Sequence, residues 1–186
     1  MDLHADQIQG FFEIPVDHLF ASTLFAPYLE SKKTDKLIIA APDAGGSKRA
    51  NAYAKYLDVD LALCYKQRKK ANKIESMTII GDVEGKDVVI IDDMIDTAGT
   101  TVNAAKAALD QGAKSVTAVA THGVLSGPAI ERLKESNIKK IIITDTINIS
   151  KEKLCDNMEI VSVAEVFAKA VNRIHNGQSV SALFQF

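Results

Sequence analysis

Apolar residues in this chain come in short unbroken runs. Lys36–Ala41 (KLIIAA), Leu61–Tyr65 (LALCY), Met77–Ile80 (MTII), Asp87–Ile91 (DVVII), Ser115–Ala120 (SVTAVA) and Lys139–Thr144 (KKIIIT) each read as a strand. Strands without polar alternation are buried on both faces, which is the mark of a parallel sheet. The segments between them carry a helical period. Ser47–Leu57 carries Ala50, Ala52 or Tyr53, Ala54 and Leu57 at helical spacing, with Ser47 as its N-cap. Thr101–Gln111 is amphipathic and closed by Gly112, and Pro128–Glu135 and Val163–Ile174 supply two further helices. The fold class expected is α/β: a three-layer, Rossmann-like parallel sheet with helices on both faces, joined by right-handed crossovers.

Ligands of such sheets bind beyond the carboxyl ends of the strands. The loops PDAGG (42–46), DDMIDTAGTT (92–101), THGVLSG (121–127) and TDT (144–146) all fall at that edge. The two ends of the chain do not join the rhythm. Residues 1–35 are rich in aromatics without a strand–helix repeat, and Asn176-Gly177 is a hairpin-type turn signal followed by a short apolar strand.

With 186 residues, 47% of them apolar and 25% charged, the chain suits one ordinary domain with its own core. A net charge of −2 gives no global pull toward nucleic acid or anionic membrane, and neither is expected as a partner. Cys64 and Cys155 fit neither a disulfide framework nor a zinc spacing, so they read as buried thiols in a reducing cytoplasm. No apolar run approaches the ~18 residues of a membrane span, and MDLHADQIQG has no signal-peptide features. A cytoplasmic location is expected.

Candidate chemistry concentrates in VVIIDDMIDTAGTT (88–101), where an apolar strand runs into three aspartates and a small, hydroxyl-rich loop. Ala98, Gly99, Thr100 and Thr101 lead into a helix, so free amides and the helix dipole converge on one spot that suits a phosphate monoester. Asp92 and Asp93 would repel a phosphate but can accept paired hydrogen bonds from a vicinal diol. Ribose 5-phosphate carries both features about one sugar ring apart.

The pattern of apolar strand, D-D-x-x-D-T-x-G-T and helix resembles the ribose 5-phosphate/PRPP signature of type I phosphoribosyltransferase folds. Further landmarks follow in order: DLHADQIQGFF, PDAGGSKRA, KQRKKAN, GDVEGKDVVIIDDMIDTAGTT, THGVLSGPAI and HNGQSVSALF. Together these resemble the ribose-phosphate diphosphokinase (PRPP synthetase) family over nearly the whole chain. The resemblance implies a phosphoribosyltransferase-like domain and transfer of the β,γ-diphosphoryl group of ATP to O1 of ribose 5-phosphate, giving PRPP and AMP. It implies Mg²⁺ as cofactor, held by His4 and Asp43, and a diphosphate loop of Asp43, Ala44, Gly45 and Gly46. Lys66 and Arg68 correspond to the catalytic cations. Ribose 5-phosphate would be bound by Arg68, Asp92, Asp93, Asp96, Thr97, Ala98, Gly99 and Thr100. A homo-oligomer is implied as well. His18, His122 and His175 are expected to be structural.

Members of that family are usually longer, with two similar domains. The organisation expected is residues 1–25 as a remnant of the family's first domain, 26–175 as the phosphoribosyltransferase-like domain, and 176–186 as a C-terminal strand or tail. Activity without the first domain is expected to be weak or absent. Two alternatives stand beside this: a non-catalytic PRPP-binding or synthetase-associated subunit, and a nucleobase phosphoribosyltransferase. Asp6 and His18 depart from the pattern of the family's regulatory site.

Overall fold

A computed structural model describes residues 1–67 and 76–184. Among these, seven strands form one sheet in the order β3-β2-β1-β4-β5-β6-β7. The strands are β1 (Leu37–Ala41), β2 (Leu61–Gln67), β3 (Ser76–Ile80), β4 (Asp87–Ile95), β5 (Ser115–Gly123), β6 (Lys140–Thr144) and β7 (Met158–Val161). All neighbours run parallel except β2 and β3, so the expected parallel sheet has one antiparallel edge. The helices are α1 (Ser22–Glu30), α2 (Ser47–Leu57), α3 (Gly99–Asp110), α4 (Ala129–Glu135) and α5 (Ala164–His175).

The unbroken apolar strands do what their composition requires. Successive residues feed opposite cores: Ile38, Ala40, Val88 and Ile90 pack with α3 and α4, while Ile39, Ala41, Val89 and Ile91 pack with α1 and α2. α3 closes at Gly112, whose φ of 85° suits the left-handed turn after a helix. Chain order reverses at the centre. From β1 the chain moves outward to β2 and β3, and from β4 it moves the other way to β7. The carboxyl ends of β1 and β4 therefore bound a crevice at the topological switch point.

Several expectations change. α1 lies in the stretch read as lacking a repeat, buries Phe25, Ala26 and Leu29, and spans the seam expected between residues 25 and 26. Its few apolar positions gave too short a periodic signal. The strand expected after Gly177 is instead a 3₁₀ turn at Val180–Leu183, whose start is held by Ser179. Among the described residues its backbone bonds locally, the Phe184 amide donating to the Ser181 carbonyl. Ser47 is the first helical residue of α2 rather than its cap, and its hydroxyl donates to the Ala44 carbonyl at 2.7 Å. β4 continues past Ile91, so the acid pair lies inside the strand, pairing onward with β5. His18 and His122 are structural, accepting the Leu3 amide and bonding Thr146 respectively, and both cysteines are buried and free.

Phe25 is fully buried, whereas Phe11 is 87% exposed. Phe25→Ala should therefore cost about 3–5 kcal/mol of unfolding free energy, and Phe11→Ser less than about 0.5 kcal/mol, measured by urea denaturation.

Candidate functional site

One pocket of about 490 Å³ occupies the switch-point crevice, lined by His4, Asp43, Gly45, Gly46, Arg49 and residues of the 92–101 segment. Three elements contribute, each for a local reason. After β1, Pro42 ends the strand and Asp43 turns the chain, its Oδ1 accepting the Gly46 amide at 2.9 Å. A Cβ on Gly45 would stand 3.2 Å from that oxygen and one on Gly46 3.3 Å from the Pro42 ring, so this turn has little room for side chains. Ala44 is exposed on the same turn.

After β4, the chain enters α3 through Ala98, a non-glycine residue at φ 61°. The first helical bond runs from the Val102 amide to the Ala98 carbonyl at 3.0 Å. The amides of Gly99, Thr100 and Thr101 thus precede the helical ladder, and Ala98 has no side-chain oxygen to cap them. Such an end can take an anion.

The third contribution is the N-terminal segment. Asp2, only 8% exposed, accepts from the Ala21 amide at 3.2 Å and from the buried Thr121 hydroxyl on β5 at 2.5 Å. His122 Nε2 lies 3.1 Å from the carbonyls of both Met1 and Asp2. This anchorage lays His4 across the sheet, where its Nδ1 meets Asp93 Oδ2 at 2.8 Å.

Asp92 and Asp93 form the electrostatic centre. Arg49, from the first turn of α2, places Nη1 at 3.4 Å from Asp92 and 3.1 Å from Asp93. Burial, and then the interaction with Asp93, push the Asp92 carboxyl up to about 7. Burial works against Asp93 too, but its bonds with Asp92 and His4 and the Arg49 charge outweigh it and hold that carboxyl below its ordinary value. Two adjacent carboxylates in one partly dry site share a proton unless a cation relieves them.

The pocket brings together His4, Asp43, Gly45, Gly46, Asp92, Asp93 and Asp96–Thr100. Lys66 lines a neighbouring pocket of about 510 Å³ on the other side of the 97–100 loop, sharing Thr97, Gly99 and Thr100 with the first and adding Arg132. Arg68 lies outside the described residues. Among the described residues no three potential ligands converge as a metal cage. The Asp43 carboxylate nonetheless fits a hard cation such as Mg²⁺, which keeps most of its positions for water and ligand oxygens; the His4 imidazole, with Nδ1 engaged by Asp93, is a softer donor beside it.

Arg49 and Asp2 were missed. A signal existed for Arg49: Lys48 and Arg49 stand in the first turn of α2, where the helix dipole disfavours cations unless they are paired. Asp2 gave none, because its partners Ala21 and Thr121 are distant in sequence.

Residues 68–185 match the phosphoribosyl synthetase-associated domain. This chain belongs to that family. A ribose-phosphate pyrophosphokinase of Caldanaerobacter subterraneus subsp. tengcongensis is 55% identical over 185 residues, which are 99% of this chain and 58% of that relative. The crystal structure of phosphoribosylpyrophosphate synthetase from Mycobacterium smegmatis superposes with a TM-score of 0.86 at 38% identity, over 95% of this chain and 57% of that one. An adenine phosphoribosyltransferase, at 17% identity and TM-score 0.50, covering 66% of this chain and 75% of its own, shares the fold alone. The chain thus spans less than two thirds of the pyrophosphokinases it matches.

The acid pair yields a pH prediction. Asp92 ionises near 3.8 when unfolded and near 7 when folded, so the unfolded chain releases its proton first and stability falls as pH rises between those values. Asp92→Asn keeps an acceptor for Arg49 and the Asp93 amide but has no proton to lose. Its melting temperature relative to the unaltered chain, in metal-free buffer, should climb from about pH 4 to about pH 7 and level off above that. A constant offset across this range would contradict it.

Proposed function

We propose that this chain is the acceptor-binding, catalytic part of a ribose-phosphate diphosphokinase, joining the diphosphoryl group of ATP to O1 of ribose 5-phosphate to give PRPP and AMP. The observation carrying this reading is a pocket in which an acid pair stands beside an uncapped, hydroxyl-rich helix start. The amides and hydroxyls of Thr97–Thr100 cradle the 5-phosphate, and Asp92, Asp93 and Asp96 take the sugar hydroxyls. The turn Asp43–Gly46, exposed from Asp43 to Gly45, lets backbone amides approach the diphosphate.

Lys66, across the loop, and Arg68 supply positive charge to the transferring group. Reaction at the β-phosphorus is mostly positioning and charge stabilisation, so the chain needs no strong base of its own. Mg²⁺, held by His4 and Asp43 with water and phosphate oxygens, would neutralise the triphosphate. The same reading includes a homo-oligomer in the cytoplasm, with no nucleic acid or membrane partner; among the described residues no helix is long and apolar enough to cross a membrane.

The relatives extend well beyond the matched span, and the turnover expected of this chain by itself is low. Calorimetry with ribose 5-phosphate and Mg²⁺ should show binding that weakens as pH falls below about 7, because Asp92 then holds its proton. AMP release from ATP and ribose 5-phosphate should be slight with this chain alone and should rise when the unmatched part of a relative is added. Absence of heat with ribose 5-phosphate in the presence of Mg²⁺ would sink the proposal. Binding without AMP release in either assay would assign a non-catalytic subunit, and consumption of PRPP with a nucleobase a phosphoribosyltransferase.

A further inference from the structure

The segment linking β5 to α4, with α4 itself, is hydrogen-bonded to the 92–101 loop. Its Leu125 amide donates to the Ile95 carbonyl and its Ser126 amide to the Asp96 carbonyl, both at 3.0 Å. Arg132 Nη1, on α4, donates to the Thr97 carbonyl at 3.0 Å. The Ser126 hydroxyl also donates to the Asp96 carboxylate. Three successive carbonyls of the descending chain are thereby drawn to one side. The next residue is Ala98 at φ 61°, and beyond it come the amides that precede the α3 ladder.

A left-handed alanine does not hold itself in place; the surroundings must impose it. The imposing segment is strained as well. Leu125 is buried at φ 50°, and its carbonyl accepts Lys153 Nζ at 2.9 Å. Arg132 is set close against the loop, since a Cβ on Gly99 would lie 3.4 Å from its Nη1. A planar guanidinium donating to a backbone carbonyl fixes direction as well as distance. Its bond leaves both carboxylates of the acid pair untouched and acts on the backbone that precedes the free amides.

We propose that Arg132, assisted by Ser126, is the positioning residue of the 96–101 loop, holding the Thr97 carbonyl back so that the following amides face the pocket. This rests on the reading of that loop as the cradle of the 5-phosphate. Arg132 acts on the loop through the Thr97 carbonyl, a bond present without ligand, so its effect is visible in the ligand-free chain.

The test is amide hydrogen exchange on the ligand-free chain, paired with calorimetry using ribose 5-phosphate and Mg²⁺. In Arg132→Gln, exchange over 96–103 should quicken roughly fivefold while β4 peptides over 88–92 keep their rate, and ribose 5-phosphate should bind roughly fivefold more weakly. Ser126→Ala with Arg132→Gln should push both effects to roughly tenfold or more, and Arg132→Lys, which keeps the charge without the planar fork, should restore only part of the loss. Unchanged loop exchange overturns the proposal. So does equal quickening of loop and β4 in every variant, Ser126→Ala alone included, or faster exchange with unaltered affinity. If the unaltered chain binds no ribose 5-phosphate, the reading of the pocket fails, and the exchange comparison still decides whether Arg132 holds the loop.

Discussion

Asp93 is only 4% exposed, and its carboxylate lies beside a second one on the same strand. Burying adjacent carboxylates is expensive unless each is paired and their charge is shared with a cation or a proton. Much of the site can be understood as the answer to that constraint. Arg49 reaches from α2 to bridge both acids, and His4 closes on the far oxygen of Asp93. His4 can do so because Asp2, fastened to Thr121 and Ala21, lays the N-terminal segment over the sheet. Among the described residues, three of the four non-glycine positions with positive φ are Asp2, Ala98 and Leu125, in the anchor, the loop and the segment behind it. Strain that the surroundings over-determine gathers where geometry must be held.

The topology explains why this charge arrangement can be built at all. β1 and β4 are neighbours, yet the helices that follow them pack on opposite faces of the sheet, α2 with one core and α3 with the other. Their loops must part at the strand ends. The crevice between them receives two helix N-termini, each with unpaired amides and a positive dipole end. An acid pair at this point meets positive potential from both sides. An anionic ligand with hydroxyls finds amides for its phosphate and carboxylates for its diol within one pocket.

The fold was legible from the sequence wherever burial dictated composition. The KLIIAA and DVVII runs could be buried on both faces in only one kind of sheet, and β1 and β4 are its centre. The acid loop was legible because its residues are contiguous, and a strand-to-helix turn carries its amides and carboxylates within ten positions, Asp92 to Thr101. What escaped depends on contacts between distant segments. α1 packs Phe25 against strands far along the chain, and Asp2 finds its partner 119 positions away. The 180–183 stretch is apolar enough for a strand, but among the described residues it pairs with no other strand and coils into a 3₁₀ turn. Periodicity reports which face a residue presents; it is silent on what stands opposite.

The same distinction separates two kinds of residue in and around the pocket. The expected site residues, such as Asp43, Asp96 and Thr97–Thr100, present oxygen atoms or amides that a ligand could meet directly. Arg49, Asp2 and Ser126 instead spend their polarity on other parts of the protein. Arg49 is the instructive case, because its guanidinium sits between the acid pair, where a metal or a sugar hydroxyl would compete with it. An internal cation eases the acid pair before ligand arrives, while burial first and the neighbouring Asp93 next still raise the Asp92 carboxyl. The residual repulsion is energy that a bound cation or diol can relieve, so an imperfectly neutralised pair favours ligand more than a fully satisfied one would.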